Sequence, residues 1–141
     1  MRKTLMCSLL IFGALTANIL ASRNSFNKGA GSMGVMAVVA YKPRPGKEQA
    51  LLDLTKEHVP ILRAQGMATD RPAYAMRAKD GTIVEVFEWK SKEAINSAHS
   101  NAAVQALWKR YEEACEYTPL AKIKECNELF AEFEPVDIPV R

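Results

Sequence analysis

Between Arg77 and His99 the chain reads R-A-K-D-G-T-I-V-E-V-F-E-W-K-S-K-E-A-I-N-S-A-H, and this run leaves its neighbours few possible arrangements. Asp80-Gly81 is a two-residue hairpin signal, because a type I′ turn needs positive φ at both central positions. A turn there pairs Lys79 with Thr82, and sets Met76 opposite Glu85 and Tyr74 opposite Phe87. Side chains alternate across a strand. Ile83, Glu85, Phe87 and Trp89 therefore share one face, with Tyr74, Met76 and Ala78 beside them, while Thr82, Val84, Val86 and Glu88 take the other. Ser91 is a ready N-cap for a helix that starts at Lys92.

The flanking segments complete a pattern. Val35–Tyr41 is a short apolar run, β-branched in its middle and long enough for one buried strand; Lys42-Pro43-Arg44-Pro45-Gly46 stops it. From Lys47 to about Gln65 the period becomes helical, with Leu51, Leu54, His58, Ile61 and Leu62 on one stripe. Pro60 falls inside this helix and Gly66 ends it. Met67–Ala78 is the second strand with its lead-in. Ser91 to about Glu116 is helical in two pieces broken near Ser100, Asn101 capping the second, whose stripe is Val104, Leu107, Trp108, Tyr111 and Cys115. A short extra helix over Lys122–Leu129 and a last strand over Phe130–Val136 follow. The order β-α-β-β-α-β predicts an α+β, ferredoxin-like sandwich: a four-stranded antiparallel sheet with both helices on one face. The sheet's other face is left apolar and bare, which predicts a homodimer joined sheet to sheet.

Charge narrows the partners. The net charge of +3 is carried by residues 1–33, which hold Arg2, Lys3, Arg23 and Lys28 and no acid. Residues 34–141 hold 15 basic and 16 acidic side chains, which leaves no basic face for phosphates and argues against nucleic acid. Met1-Arg2-Lys3-Thr4 followed by the uncharged run Leu5–Leu20 has the anatomy of a secretory signal, so residues 1–21 are expected to be a signal peptide, 22–34 a polar, Gly-rich linker and 35–141 the domain. Export to a secreted or periplasmic location follows if the leader is genuine. A start at Met33 or Met36 would make the protein cytoplasmic. The apolar run is barely long enough to span a bilayer, and no stable span is expected once it is removed. Cys115 and Cys126 are left to pair in an oxidising compartment or to stay reduced in the cytosol.

Glu88-Trp89-Lys90-Ser91, followed by a helix carrying Ala98-His99-Ser100-Asn101 and an apolar Val104, resembles the antibiotic-biosynthesis-monooxygenase-like family of dimeric α/β barrels, over roughly Met36 to Val136 in element order. The resemblance implies a ligand pocket between the sheet and the two helices. The family includes cofactor-free quinol and polyketide oxygenases, haem-degrading oxygenases and many small proteins of unknown activity, and fold likeness alone does not transmit an activity. The haem-degrading pattern departs here. Trp89-Lys90-Ser91 fits, but Ala98 and Trp108 stand where a Trp and a His are needed, and His99 is one residue out of place. An axial ligand needs an imidazole in one geometry, so haem is not expected. The quinol-type branch fits better, with a His early on that helix.

Three ionisable side chains fall on core-facing positions: His99, His58 and Glu85. His99 is either a general base for a phenolic proton or a structural residue near a helix break. His58 is either its assistant or a core histidine bonded to a carbonyl freed by Pro60. Glu85, a carboxylate among aromatics, needs a partner; Arg77, expected on the opposite face, is a poor one and a histidine a better one. Tyr74, Phe87, Trp89, Trp108 and Tyr111 are the candidate walls of a flat aromatic pocket, or else core. No cluster has metal spacing and no Gly-rich loop precedes a helix, so neither metal nor other cofactor is expected. The reading is a small-molecule-binding homodimer, with cofactor-independent monooxygenation of an aromatic or quinol-like substrate as its catalytic form. The alternative is a non-catalytic binding or structural homodimer whose pocket is packed shut.

Overall fold

The computed structural model describes residues 34–138; the expected signal peptide, and the linker apart from Gly34, lie outside the described residues. The first strand, β1 (Val35–Pro43), leads through a turn into α1 (Glu48–Ala64), which buries Leu51, Leu54, Thr55, His58, Val59 and Leu62 and carries Pro60 inside it. Helix α1 ends in a Schellman arrangement: Gly66 N–H donates to the Arg63 carbonyl at 2.8 Å and Met67 N–H to that of Leu62 at 2.9 Å. Gly66 has φ +71°, a value that a side chain would strain.

Strands β2 (Tyr74–Arg77) and β3 (Ile83–Trp89) form the central hairpin, but one residue off the expected register. Tyr74 lies opposite Val86, Ala75 opposite Glu85, Met76 opposite Val84 and Arg77 opposite Ile83. The turn explains the slip. Gly81 N–H donates to the Ala78 carbonyl at 3.0 Å and Ala78 N–H to that of Thr82 at 2.8 Å, so three residues, Lys79-Asp80-Gly81, form the loop. Gly81 takes the positive φ of +86°, as in a turn followed by a left-handed bulge residue. Asp80 Oδ1 accepts from Thr82 N–H at 2.9 Å. A one-residue slip moves every side chain to the other face. Tyr74, Met76 and Ala78 therefore join Thr82, Val84 and Val86, while Ala75 and Arg77 join Ile83 and Glu85.

Helix α2 (Lys92–Ala98) is capped by Ser91 Oγ, which accepts from Ala94 N–H, and α3 (Ala102–Ala114) by Asn101 Oδ1, which accepts from Val104 N–H. The break between them stands where the caps placed it. The end of α3 does not: it stops at Ala114, and Cys115 turns extended (φ −149°, ψ 175°) to open β4 (Cys115–Tyr117), which pairs with β1. The expected helix beyond is two separate 3-10 turns, Leu120–Lys122 and Glu125–Asn127. The last strand is shorter than expected, β5 (Glu134–Val136), and pairs with β2. The protein is α+β, with an open antiparallel sheet of five strands in the order β4-β1-β3-β2-β5 and three helices; the expected count of four was one short.

Buried residues of α1 and α3 pack with Tyr41, Ile83, Phe87 and Trp89 from one face of the sheet. The opposite face is not bare throughout. Ile123, between the two 3-10 turns, closes over Ala40, Ala78 and Val84, with Phe133 and Met76 beside it. Glu125 anchors this segment, its Oε1 accepting from Lys79 N–H at 2.9 Å. Met36, Val38 and Tyr74 remain exposed on that face.

Candidate functional site

Burial alone singles out Glu85. Its side chain is 0% exposed, and an isolated carboxylate in such a place would be untenable. Its position on the helix-facing side of β3 follows from strand parity, between Ile83 and Phe87. Two groups converge on one of its oxygens. The Tyr41 hydroxyl donates to Oε2 at 3.0 Å, and His58 Nδ1 lies 2.7 Å from the same atom. Tyr41 comes from β1, two strand positions from Val39, and His58 from the third turn of α1, so the cluster ties helix to sheet. Glu85 Oε1 has no partner among the described residues.

Aromatic rings fix these groups in place. The His58 ring meets Phe87 edge-on at 5.0 Å and Tyr111 at 5.5 Å, and Tyr41 packs on Tyr111 at 4.8 Å and Tyr117 at 5.5 Å. Burial, then the Glu85 charge, pushes the Tyr41 phenol well above its usual range, so it stays a donor. Burial likewise raises Tyr111, whose hydroxyl sits near Thr55 without a bond of good geometry, the Thr55 proton going to the Leu51 carbonyl. Burial also pushes Tyr117 up to about 12.

Over this cluster opens a cavity of about 340 Å³, lined by Val39, Tyr41, His58, Phe87, Trp89, His99, Trp108 and Tyr117. That size lies within the range of small-molecule pockets. The walls are aromatic or aliphatic, and the polar side-chain groups of the lining residues are two imidazoles, two phenols and two indole N–H groups. His99 is exposed, caps α2, and packs its ring against Trp108 at 5.1 Å.

The sequence candidates divide as follows. His58, His99, Phe87, Trp89 and Trp108 meet at the cavity, and Glu85 stands behind His58. Tyr111 is 1% exposed and supports the cluster rather than lining the cavity. Tyr74 does not belong: the register slip puts it on the opposite face, 64% exposed. Glu85 does take a histidine as partner. His58 therefore does not spend Nδ1 on a carbonyl freed by Pro60. Arg77, contrary to expectation, shares the Glu85 face, yet its guanidinium goes to Glu134 at 2.9 Å. Val39, Tyr41 and Tyr117 were missed. Parity along β1 puts Val39 and Tyr41 on one face and would have found both; Tyr117 depends on β4, which carries no strand signal of its own.

The two cysteines among the described residues are free, Cys115 buried and Cys126 exposed, and burial raises the Cys115 thiol to about 11. Among the described residues no group of three or more His, Cys, Asp or Glu could hold a metal ion, and no helix is long and apolar enough to cross a membrane. Comparison of the chain with protein-family models, curated proteins and solved structures finds no match.

Proposed function

We propose that this protein binds a small, flat aromatic molecule in the cavity between sheet and helices, as a ferredoxin-like homodimer. The observation that carries the reading is a buried Tyr41–Glu85–His58 chain at the base of an aromatic-walled space. A site of this kind combines apolar walls with a few convergent polar groups. A core packed shut would have favoured a purely structural role; an open volume of about 340 Å³ favours a ligand. The ferredoxin-like assignment is supported by the order β4-β1-β3-β2 with α1 and α3 on one side, β5 being an addition at the edge. The exposed Met36, Val38 and Tyr74 support sheet-to-sheet pairing.

As an enzyme, the protein would be a cofactor-independent monooxygenase acting on a quinol-like substrate. Quinol and O₂ give a hydroxyquinone and water: one oxygen atom enters the ring, the other leaves as water, and the substrate itself supplies the electrons. Oxygen uptake by the full chain with a panel of quinols, alongside thermal melts, tests this. Turnover with ligand-induced stabilisation supports the oxygenase. Stabilisation without uptake supports a binding protein, and neither response removes both readings.

A further inference from the structure

We propose that His58, held by Glu85, takes the proton of a weakly acidic phenol, quinol or enol, so that the cavity keeps such ligands as anions; this rests on the ligand-binding reading above. The argument starts from the tautomer. An ionised Glu85 only accepts, so His58 Nδ1, 2.7 Å from Oε2, carries the ring proton. Nε2 is then the basic atom of a ring that lines the cavity, and it has no bonded partner among the described residues. This is how a second group orients a base.

The surroundings favour the transfer. Glu85 is buried, one of its oxygens is unpartnered, and its other bond comes from a neutral phenol. A proton arriving on Nε2 converts this arrangement into an imidazolium–carboxylate pair, which answers the buried charge at contact distance. The O–H bond of the ligand breaks, an N–H bond forms on Nε2, and the electron pair remains on the ligand oxygen. The other titratable groups facing His58 are Tyr41 from β1 and Tyr111 from α3, with Tyr117 and His99 on the cavity wall. The raised phenols stay neutral donors and do not compete for the proton. His99 is exposed and has no carboxylate partner of this kind among the described residues, so the burden falls on His58. A ligand already anionic in water, such as a carboxylate, has no proton to give and is disfavoured beside Glu85.

The test uses the full chain and 4-nitrophenol, whose neutral and ionised forms absorb differently. The two tryptophans of the chain, Trp89 and Trp108, both line the cavity, so fluorescence quenching reports binding separately from ionisation. The bound probe should ionise about one unit lower in pH or more, a roughly tenfold rise in its ionised-to-neutral ratio. His58→Gln and Glu85→Gln should still quench but lose that shift. The chain has only two histidines, so imidazole ¹⁵N spectra of the wild-type complex should show both His58 nitrogens protonated, whether or not the variants fold. Saturable quenching with ionisation unchanged or raised overturns the inference and leaves the cavity reading standing. A shift that survives His58→Gln, or a second proton that settles on His99, also overturns it. Absence of saturable quenching overturns both.

Discussion

Glu85 is the residue through which stability and site are joined, and a double-mutant cycle with Tyr41 makes the link quantitative. Tyr41→Phe keeps the ring on Tyr111 and Tyr117 and removes only the hydroxyl that donates to Oε2 at 3.0 Å. A hydrogen bond to a charged group is worth about 1.5–3 kcal/mol, and the nearly unchanged shape leaves little cavity cost. Glu85→Leu leaves the Tyr41 O–H and the His58 Nδ1–H stranded, at about 1–3 kcal/mol each, while removing one buried charge and the unpartnered Oε1. In the Glu85→Leu background, Tyr41→Phe has no bond left to break and removes a stranded hydroxyl, so its cost should vanish or change sign. The coupling energy is then about 1.5–3 kcal/mol where that cost vanishes and larger where it changes sign, read from urea unfolding midpoints at unchanged m. Single effects that add to within about 0.5 kcal/mol would refute the shared bond and the reasoning built on it.

Alkaline pH should unfold the protein along with its tyrosines. Tyr41, Tyr111, Tyr117 and Cys115 all have raised folded values, burial being the first cause. Their contribution is fully present below the unfolded values of 9.0 for the thiol and 10.0 for the phenols and is lost as pH rises through the folded ones. Melting temperature should therefore fall from about pH 9 upward, with the buried phenolates appearing only as the chain unfolds; an unchanged melt to pH 12 would contradict this. Val38→Glu places a charge on the exposed sheet face and should convert a micromolar dimer to a folded monomer in sedimentation, whereas a wild-type monomer removes the dimer. Glu125→Gln should speed hydrogen exchange at the Lys79 amide and loosen the segment over Ala78 and Val84; unchanged exchange would mean that Ile123 holds it alone.

The legible parts of the fold were those written in local chemistry. Ser91, Asn101 and Gly66 mark three helix ends by side-chain acceptors or freedom at positive φ, and each end stands where those residues put it. Glu85 among aromatics announced a need for a partner, and the apolar stripe of α1 announced His58. The hairpin was misread because Asp80-Gly81 serves a two-residue or a three-residue loop equally well in sequence. Bonding at Ala78, Gly81 and Thr82 decides between them. That single choice moved Tyr74 across the sheet. Strand β4 was hidden because Cys115-Glu116-Tyr117 continues the helical stripe of α3 and becomes a strand only by meeting Tyr41, Lys42 and Pro43 on β1. Long-range pairing of three residues leaves no local pattern, and Tyr117 was lost with it.

Chemical-shift mapping of the full chain with a saturating quinol tests the central claim most directly. The account predicts saturable changes confined to Val39, Tyr41, His58, Phe87, Trp89, His99, Trp108, Tyr117 and their immediate neighbours. Changes centred instead on Met36, Val38 and Tyr74 across the sheet, or no saturable change with any quinol or phenol, would contradict it.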